Sequence, residues 1–205
     1  MKTGIIVGTS VAGTLPVLKK HTIAYLNGSD LTVFDLQEQT YSYVEVSILI
    51  GLLLGSGTVD FVVTGCSSGQ GMMLACNSIP GVLCGLIKDS TDAKLFTAIN
   101  RGNAVSVPLK EGYGYSGEEN IAEIMEALFH LPMDERMPPQ QATRKLTDTK
   151  MLKKIRSLGQ CDLIAFLNRL DEAMITKIMS ARQVIDAVVK DGRNDQIVKW
   201  VKEYA

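Results

Sequence analysis

The stretch Val59–Asn77, VDFVVTGCSSGQGMMLACN, constrains the fold more than any other part of the chain. Val59–Thr64 is a short, mostly apolar run, as expected of a parallel strand buried on both faces. Gly65 closes it and Cys66 follows. Ser67, Ser68, Gly69, Gln70 and Gly71 then lead into an apolar stretch that reads as a helix. A strand that enters a helix through a turn of small residues aims free backbone N–H groups at one point, with the helix dipole behind them. An anion fits there. Cys66 stands at the mouth of that site, where a thiolate is favoured. A base or nucleophile beside a cluster of donors suits carbanion or acyl chemistry.

Strand-like and helix-like segments alternate on both sides of this stretch. Gly4–Ser10 reads as strand one and Leu15–Leu26 as a helix closed by the turn signal Asn27-Gly28. Leu31–Leu36 is strand two. Tyr43–Gly55 is a helix that is apolar all round, so both of its sides should be covered. After strand three, Met72–Cys76 opens a short helix ended by Pro80-Gly81. Val82–Ile87 is strand four, Asp92–Asn100 a helix, Ala104–Leu109 strand five and Glu118–Leu131 a helix. This alternation predicts a five-stranded parallel sheet between two helix layers, a doubly wound, Rossmann-like three-layer α/β sandwich. It fills residues 1–132. Pro132, Pro138 and Pro139 mark 133–150 as an irregular linker, and 151–205 reads as an all-helical C-terminal extension with a break at Gly192.

The 205 residues carry a net charge of −1 with both signs mixed, which leaves no basic field for nucleic acid or a membrane surface. The longest apolar run, around Val46–Leu54, is too short to span a bilayer, and the N-terminus lacks a leader pattern. A cytoplasmic protein is expected. The four cysteines form no CxxC pair and have no histidine at ligand spacing, so neither a disulfide framework nor a metal site is expected. Cys76 and Cys84 read as small buried hydrophobes.

Several chemistries compete at the loop. GxGxxG is absent after strand one, and a phosphate-cradling GxxxxGK[ST] fails because Thr14 follows Gly13. Gly65-Cys66-Ser67-Ser68-Gly69 matches the G-x-S-x-G hydrolase elbow with Ser67 as nucleophile, although only His130 follows as a partner. Proton transfer by Cys66 on a phosphorylated ligand is a further reading, and a tight strand–helix turn that happens to contain cysteine is the bland one.

From Tyr43 to about Val105 the chain resembles the ribose-5-phosphate isomerase B and galactose-6-phosphate isomerase family. The matching pieces are Tyr43, Ser56-Gly57, Asp60, Cys66-Ser67-Ser68-Gly69-Gln70-Gly71-Met72, Ala75-Cys76-Asn77 and Ile79-Pro80-Gly81, then Asp92-Ala93-Lys94-Leu95, Asn100 and Asn103. The family usually reads C-G-T-G-x-G-M, then A-N-K-x-P-G. The helical C-terminus looks like that of a divergent subgroup of these isomerases. The resemblance implies interconversion of an aldose and a ketose, as a pentose or hexose phosphate, through a cis-enediolate without a metal or cofactor. Cys66 matches the family base and Ser68 the hydroxyl residue at the sugar oxygens. The amides of Gly69, Gln70, Gly71 and Met72 match the enediolate donors, and Asn77, Asn103 and the pocket aromatic Tyr43 match sugar contacts. The family assembles as homodimers or higher homo-oligomers with shared active sites.

The departures bear on the substrate. The family's first loop reads D-H-A-G, where this chain has Ser10-Val11-Ala12-Gly13, and the family histidine before the matched Asn100 is Ile99. The ring-opening acid is therefore unassigned, and the substrate is either a different sugar phosphate or one already open-chain. The phosphate is expected to meet Arg101, Arg136 or Arg144. A non-catalytic sugar-phosphate-binding subunit of the same fold and the serine hydrolase remain the alternatives.

Overall fold

The computed structural model of the chain describes residues 1–26, 30–36, 38–130 and 139–205, with side chains from 143 onward in the last range. The turn expected at Asn27-Gly28 and the prolines Pro132 and Pro138 lie outside these residues. Five strands form one sheet: β1 Thr3–Ile6, β2 Leu31–Phe34, β3 Phe61–Cys66, β4 Cys84–Leu86 and β5 Ala104–Pro108. Every pairing is parallel, in the order β2-β1-β3-β5-β4. The doubly wound α/β sandwich expected from the sequence is the fold observed.

Two apolar layers cover the sheet. Helices α1 (Leu15–Ile23), α4 (Ser90–Leu95) and α5 (Glu118–Phe129) close one face over Ile5, Val63 and Val105. Helices α2 (Tyr43–Gly55) and α3 (Gln70–Ser78) close the other over Ile6, Val62 and Ala104. The α2 helix begins with a capping box, Ser42 with Glu45, and buries every residue from Val46 to Leu53. One side of α2 meets the sheet. The other meets the C-terminal helices α7 (Leu163–Leu167), α8 (Glu172–Met179), α9 (Arg182–Asp191) and α10 (Asp195–Tyr204), which bury Ile178, Val184, Val188, Trp200 and Val201 in the same core. The side chains of Asp162, Asp171 and Asn194 cap α7, α8 and α10, and Gly192 follows α9 as the break expected there.

Three segments differ from the sequence expectation. Strand one is short, because the Thr9 amide donates to the Tyr41 carbonyl and not along the sheet, and Thr9–Thr14 winds into a tight turn ahead of α1. The helix expected at Asp92–Asn100 starts at Ser90 and ends in one wide turn, Phe96–Asn100, stopped by Arg101 at φ +48°. The segment expected as linker to residue 150 is helical from Pro139: α6 runs Pro139–Gly159. A proline at a helix start forfeits no hydrogen bond, so it opens a helix as readily as it breaks one.

Candidate active site

The chain leaves β1 toward one side of the sheet and β3 toward the other, so a crevice opens beyond the C-terminal ends of these adjacent strands. A hollow of about 460 Å³ lies there. Thr9 and Ser10 line it from the end of β1, Thr40 to Tyr43 from the entry to α2, and Cys66, Ser67, Ser68 and Gly71 from the loop between β3 and α3. Tyr113 closes one side. Hydroxyls, one thiol, aromatic rings and backbone form this lining, with no charged side chain among them.

The loop after β3 is fixed by its backbone. Cys66 is the last residue of β3, paired with Pro108, and is half-buried. The carbonyls of Cys66 and Ser67 accept from the Leu109 amide at 3.1 and 3.2 Å, and the Ser67 carbonyl also accepts from Lys110 at 3.2 Å. Gly69 sits at φ +74°, and a Cβ there would meet Leu86 Cδ1 at 2.7 Å and the Val107 carbonyl carbon at 3.0 Å, so only glycine fits. Its carbonyl accepts from the buried Ser106 hydroxyl at 2.7 Å. Gly71 leaves room for the Tyr43 ring, whose nearest carbons lie 3.4 Å from the position of an added Cβ.

These bonds decide which amides face the hollow unengaged. The Gly69 amide donates to the Cys66 carbonyl at 3.3 Å and the Gln70 amide to Ser68 Oγ at 3.3 Å. Two of the four donors expected from the resemblance are thus already engaged in closing the turn. The amides of Gly71 and Met72, joined by those of Ser67 and Ser68, donate to no acceptor among the described residues. They surround the start of α3, where the helix dipole favours negative charge. Met72 is fully buried and is not among the residues that line the hollow, so of these amides those of Ser67, Ser68 and Gly71 belong to its wall. Ser68 keeps its own proton to donate.

The structure does not bring Asn77 and Asn103 to this hollow. Asn77 Nδ2 donates to the carbonyls of Met73 at 3.0 Å and Cys84 at 2.8 Å, and its Oδ1 accepts from the Cys84 amide at 3.1 Å. It pins the end of α3 to β4. Asn103 Oδ1 accepts from the Leu83 amide at 2.8 Å and its Nδ2 donates to the Gly81 carbonyl at 2.9 Å, which holds the chain ahead of β4. Asn103 precedes β5, a strand length of roughly 15 Å from the edge that carries Cys66. Arg101 lies at that same far edge, where its carbonyl accepts from Lys153 at 2.8 Å, so it could serve the Cys66 hollow only from a second copy of the chain. Arg144 is exposed on α6, and Arg136 lies outside the described residues.

Neither histidine reaches the hollow. His21 lies 2.8 Å from the Glu118 carboxylate, and His130 packs against Tyr25 with ring centroids 5.6 Å apart. Ser67 therefore has no imidazole beside it, which removes the partner a serine nucleophile requires. Thr9 and Tyr41, absent from the sequence expectations, complete the lining. Thr9 could have been singled out, because strand one also ends at the reversal point of the sheet.

The sequence pattern of the ribose/galactose isomerase family matches residues 5–146, more than half of the chain. The chain belongs to that family. A 4-deoxy-L-threo-5-hexosulose-uronate ketol-isomerase complexed with a tartrate is 30% identical and superimposes with a TM-score of 0.91, covering 100% of this chain and 99% of that one. A ribose-5-phosphate isomerase from Vibrio parahaemolyticus is 28% identical, with a TM-score of 0.90 over the same shares of the two chains. The type B ribose 5-phosphate isomerase of Leishmania infantum, 17% identical, shares the fold over 78% of this chain and 98% of its own, with a TM-score of 0.64. No curated protein matches the chain in sequence. Among the described residues no helix is long and apolar enough to cross a membrane.

Proposed function

We propose that this isomerase-family chain interconverts the aldose and ketose forms of an open-chain anionic sugar, with Cys66 as the base. The Cys66 thiolate removes the proton from the carbon beside the carbonyl. The C–H electron pair forms the carbon–carbon double bond of a cis-enediolate, and the carbonyl π pair moves onto oxygen. Return of the proton to the neighbouring carbon, with the hydroxyl proton passing between the two oxygens, completes the exchange. The amides of Ser67, Ser68 and Gly71 stabilise the enediolate oxygens, and Ser68 Oγ donates to a sugar oxygen. The observation that carries this reading is a hollow whose lining holds one thiol, Cys66, beside Ser67, Ser68 and Gly71, whose amides donate to no acceptor among the described residues.

The position of both histidines of the chain outside its own hollow supports an open-chain substrate. The anionic group is a phosphate or a carboxylate. The two full-length neighbours, one a hexosulose-uronate ketol-isomerase and one a ribose-5-phosphate isomerase, support each choice. The deciding experiment incubates the protein in heavy water with ribose 5-phosphate, galactose 6-phosphate and 4-deoxy-L-threo-5-hexosulose uronate. Deuterium should enter beside the carbonyl of at least one substrate, and Cys66→Ala should abolish its entry. Tight binding with no deuterium uptake would support the non-catalytic alternative. If a phosphate is the substrate, the cation must come from outside the hollow, and Arg101→Ala or Arg144→Ala should raise KM by about 10–100-fold.

A further inference from the structure

The C-terminal helices reach the wall of the Cys66 hollow through one side chain, Tyr41. Its backbone joins the loop after β1 to the loop entering α2: the Tyr41 carbonyl accepts from the Thr9 amide at 3.1 Å and the Thr9 hydroxyl at 3.3 Å, and the Tyr41 amide lies 3.2 Å from Thr9 Oγ1. Thr9 and Tyr41 both line the hollow. The Tyr41 side chain is only 3% exposed and points the other way, into α8. Its hydroxyl lies 2.8 Å from Ser180 Oγ at the end of that helix, and the Lys177 ammonium stands 4.4 Å from the centre of its ring. Ser180 has one proton and two acceptors for it, Gln39 Oε1 at 3.0 Å and the Lys177 carbonyl at 2.7 Å. The Tyr41 hydroxyl is therefore the donor to Ser180. Lys177 Nζ also donates to Gln39 Oε1 at 3.1 Å, and Gln183 Oε1, at the start of α9, accepts from the Asp35 amide at 3.0 Å.

We propose that Ser180 and Tyr41 are positioning residues of the isomerase site, through which α8 sets the distance between the Thr9–Tyr41 wall and Cys66. The proposal rests on the isomerase reading above. The pattern shared by the family ends at residue 146, so the clamp is supplied by a segment outside it. In this chain the segment between β2 and α2 is held from outside by three polar side chains of α8–α9, and the sheet alone does not fix it. A wall displaced by a fraction of an ångström spoils the alignment of the carbonyl with the thiolate and the amides, which lowers turnover more than binding.

The test compares Tyr41→Phe, Ser180→Ala and the double variant, which remove the same hydrogen bond from either end or both. Each single variant should lower kcat by about tenfold with KM changed less than about twofold. The double variant should be no slower than the slower single, and Ser180→Thr should restore most of the rate. Losses that multiply in the double variant, or a Ser180→Thr variant as slow as Ser180→Ala, would overturn the clamp. A substrate-free readout separates this outcome from failure of the isomerase reading. Amide hydrogen exchange in residues 9–13 and 38–43 should quicken by about tenfold in both singles, with 46–53 unchanged, and iodoacetamide should alkylate Cys66 faster. Unchanged exchange and alkylation in both variants would sink the proposal even if no substrate had been found.

Discussion

Two hollows lie at opposite edges of the same sheet and use polar residues in opposite ways. At the C-terminal edge, Cys66, the Ser68 hydroxyl and the amides of Ser67, Ser68 and Gly71 line open space with hydrogen-bonding capacity to spare. At the N-terminal edge a second hollow of about 630 Å³ is lined by Arg101, Asn103, Lys153, Arg156 and Gln160. It is richer in charge, yet most of its polar groups are engaged with carbonyls of the fold. Arg156 donates to Val82 at 2.6 Å, Lys153 to Arg101 at 2.8 Å and Asn103 to Gly81 at 2.9 Å. The residue types at the far edge look more like a ligand site, whereas the free donors are at the Cys66 edge. What distinguishes a site from a joint is unengaged capacity.

The largest effect that can break this contrast is at the thiol. Cys66→Ala should lower kcat by on the order of 10²–10⁴-fold and leave the fold intact, since a positioned base is lost from an already formed hollow. Cys84→Ala should retain activity. The neighbouring Cys76 thiol and burial both push the Cys84 thiol far up, so it stays protonated and unreactive near neutral pH. An inactive Cys84→Ala beside an active Cys66→Ala would reverse the contrast.

The next effect sharpens the division between contact and joint. Asn77→Ala removes three hydrogen bonds and leaves the amide and carbonyl of buried Cys84 without that partner. It should destabilise the fold by about 2–4 kcal/mol in urea unfolding and leave KM unchanged. A raised KM with unaltered stability would return Asn77 to the role of sugar contact.

The two asparagines also show what the sequence could and could not reveal. The strand–turn–helix at Val59–Asn77 was legible because a continuous apolar run, a glycine-rich turn and a second apolar run leave the backbone few choices, and the doubly wound sheet follows from repeating that unit. Tyr43–Gly55 was legible to the residue, since an all-apolar helix must be covered on both sides. Asn77 and Asn103 were misassigned because a carboxamide that binds a sugar and one that pins a strand are the same residue type in the same motif. Whether its groups are engaged depends on partners such as Cys84 and Leu83, which the fold alone brings near. Thr9 and Tyr41 were missed because their bonds run across 32 positions of sequence, and Ser180 across 139.

A smaller effect lies midway between the edges. Thr64 in β3 and Thr3 in β1 bury hydroxyl oxygens that have no hydrogen-bond partner among the described residues. Thr64→Val replaces such a hydroxyl by a methyl of similar shape and should raise stability by about 1 kcal/mol without touching kcat. Loss of activity in Thr64→Val would show that this hydroxyl serves the Cys66 end of the strand.

The smallest expected effect concerns the joint between the C-terminal helices and the N-terminal edge. Arg193 follows α9, donates from Nε to the Gly57 carbonyl at 2.7 Å and forms an ion pair with Asp60 just ahead of β3. The Arg193 guanidinium beside Asp60, helped by the Lys2 amide, holds its carboxyl below the ordinary value of 3.8. A carboxylate whose folded pKa is depressed adds stability that is complete above its unfolded pKa and is lost as the pH falls through the folded value. The Asp60 side chain is 38% exposed, so solvent screening holds the contribution to about 0.2–1 kcal/mol. Urea unfolding of wild type and Asp60→Asn should therefore differ by that amount at pH 7 and still at pH 5, and the two should converge as the pH drops well below 3.8. The difference should also shrink in 1 M salt. A gap that persisted in acid would mean that Asp60 acts through its hydrogen bond to Lys2 and its packing.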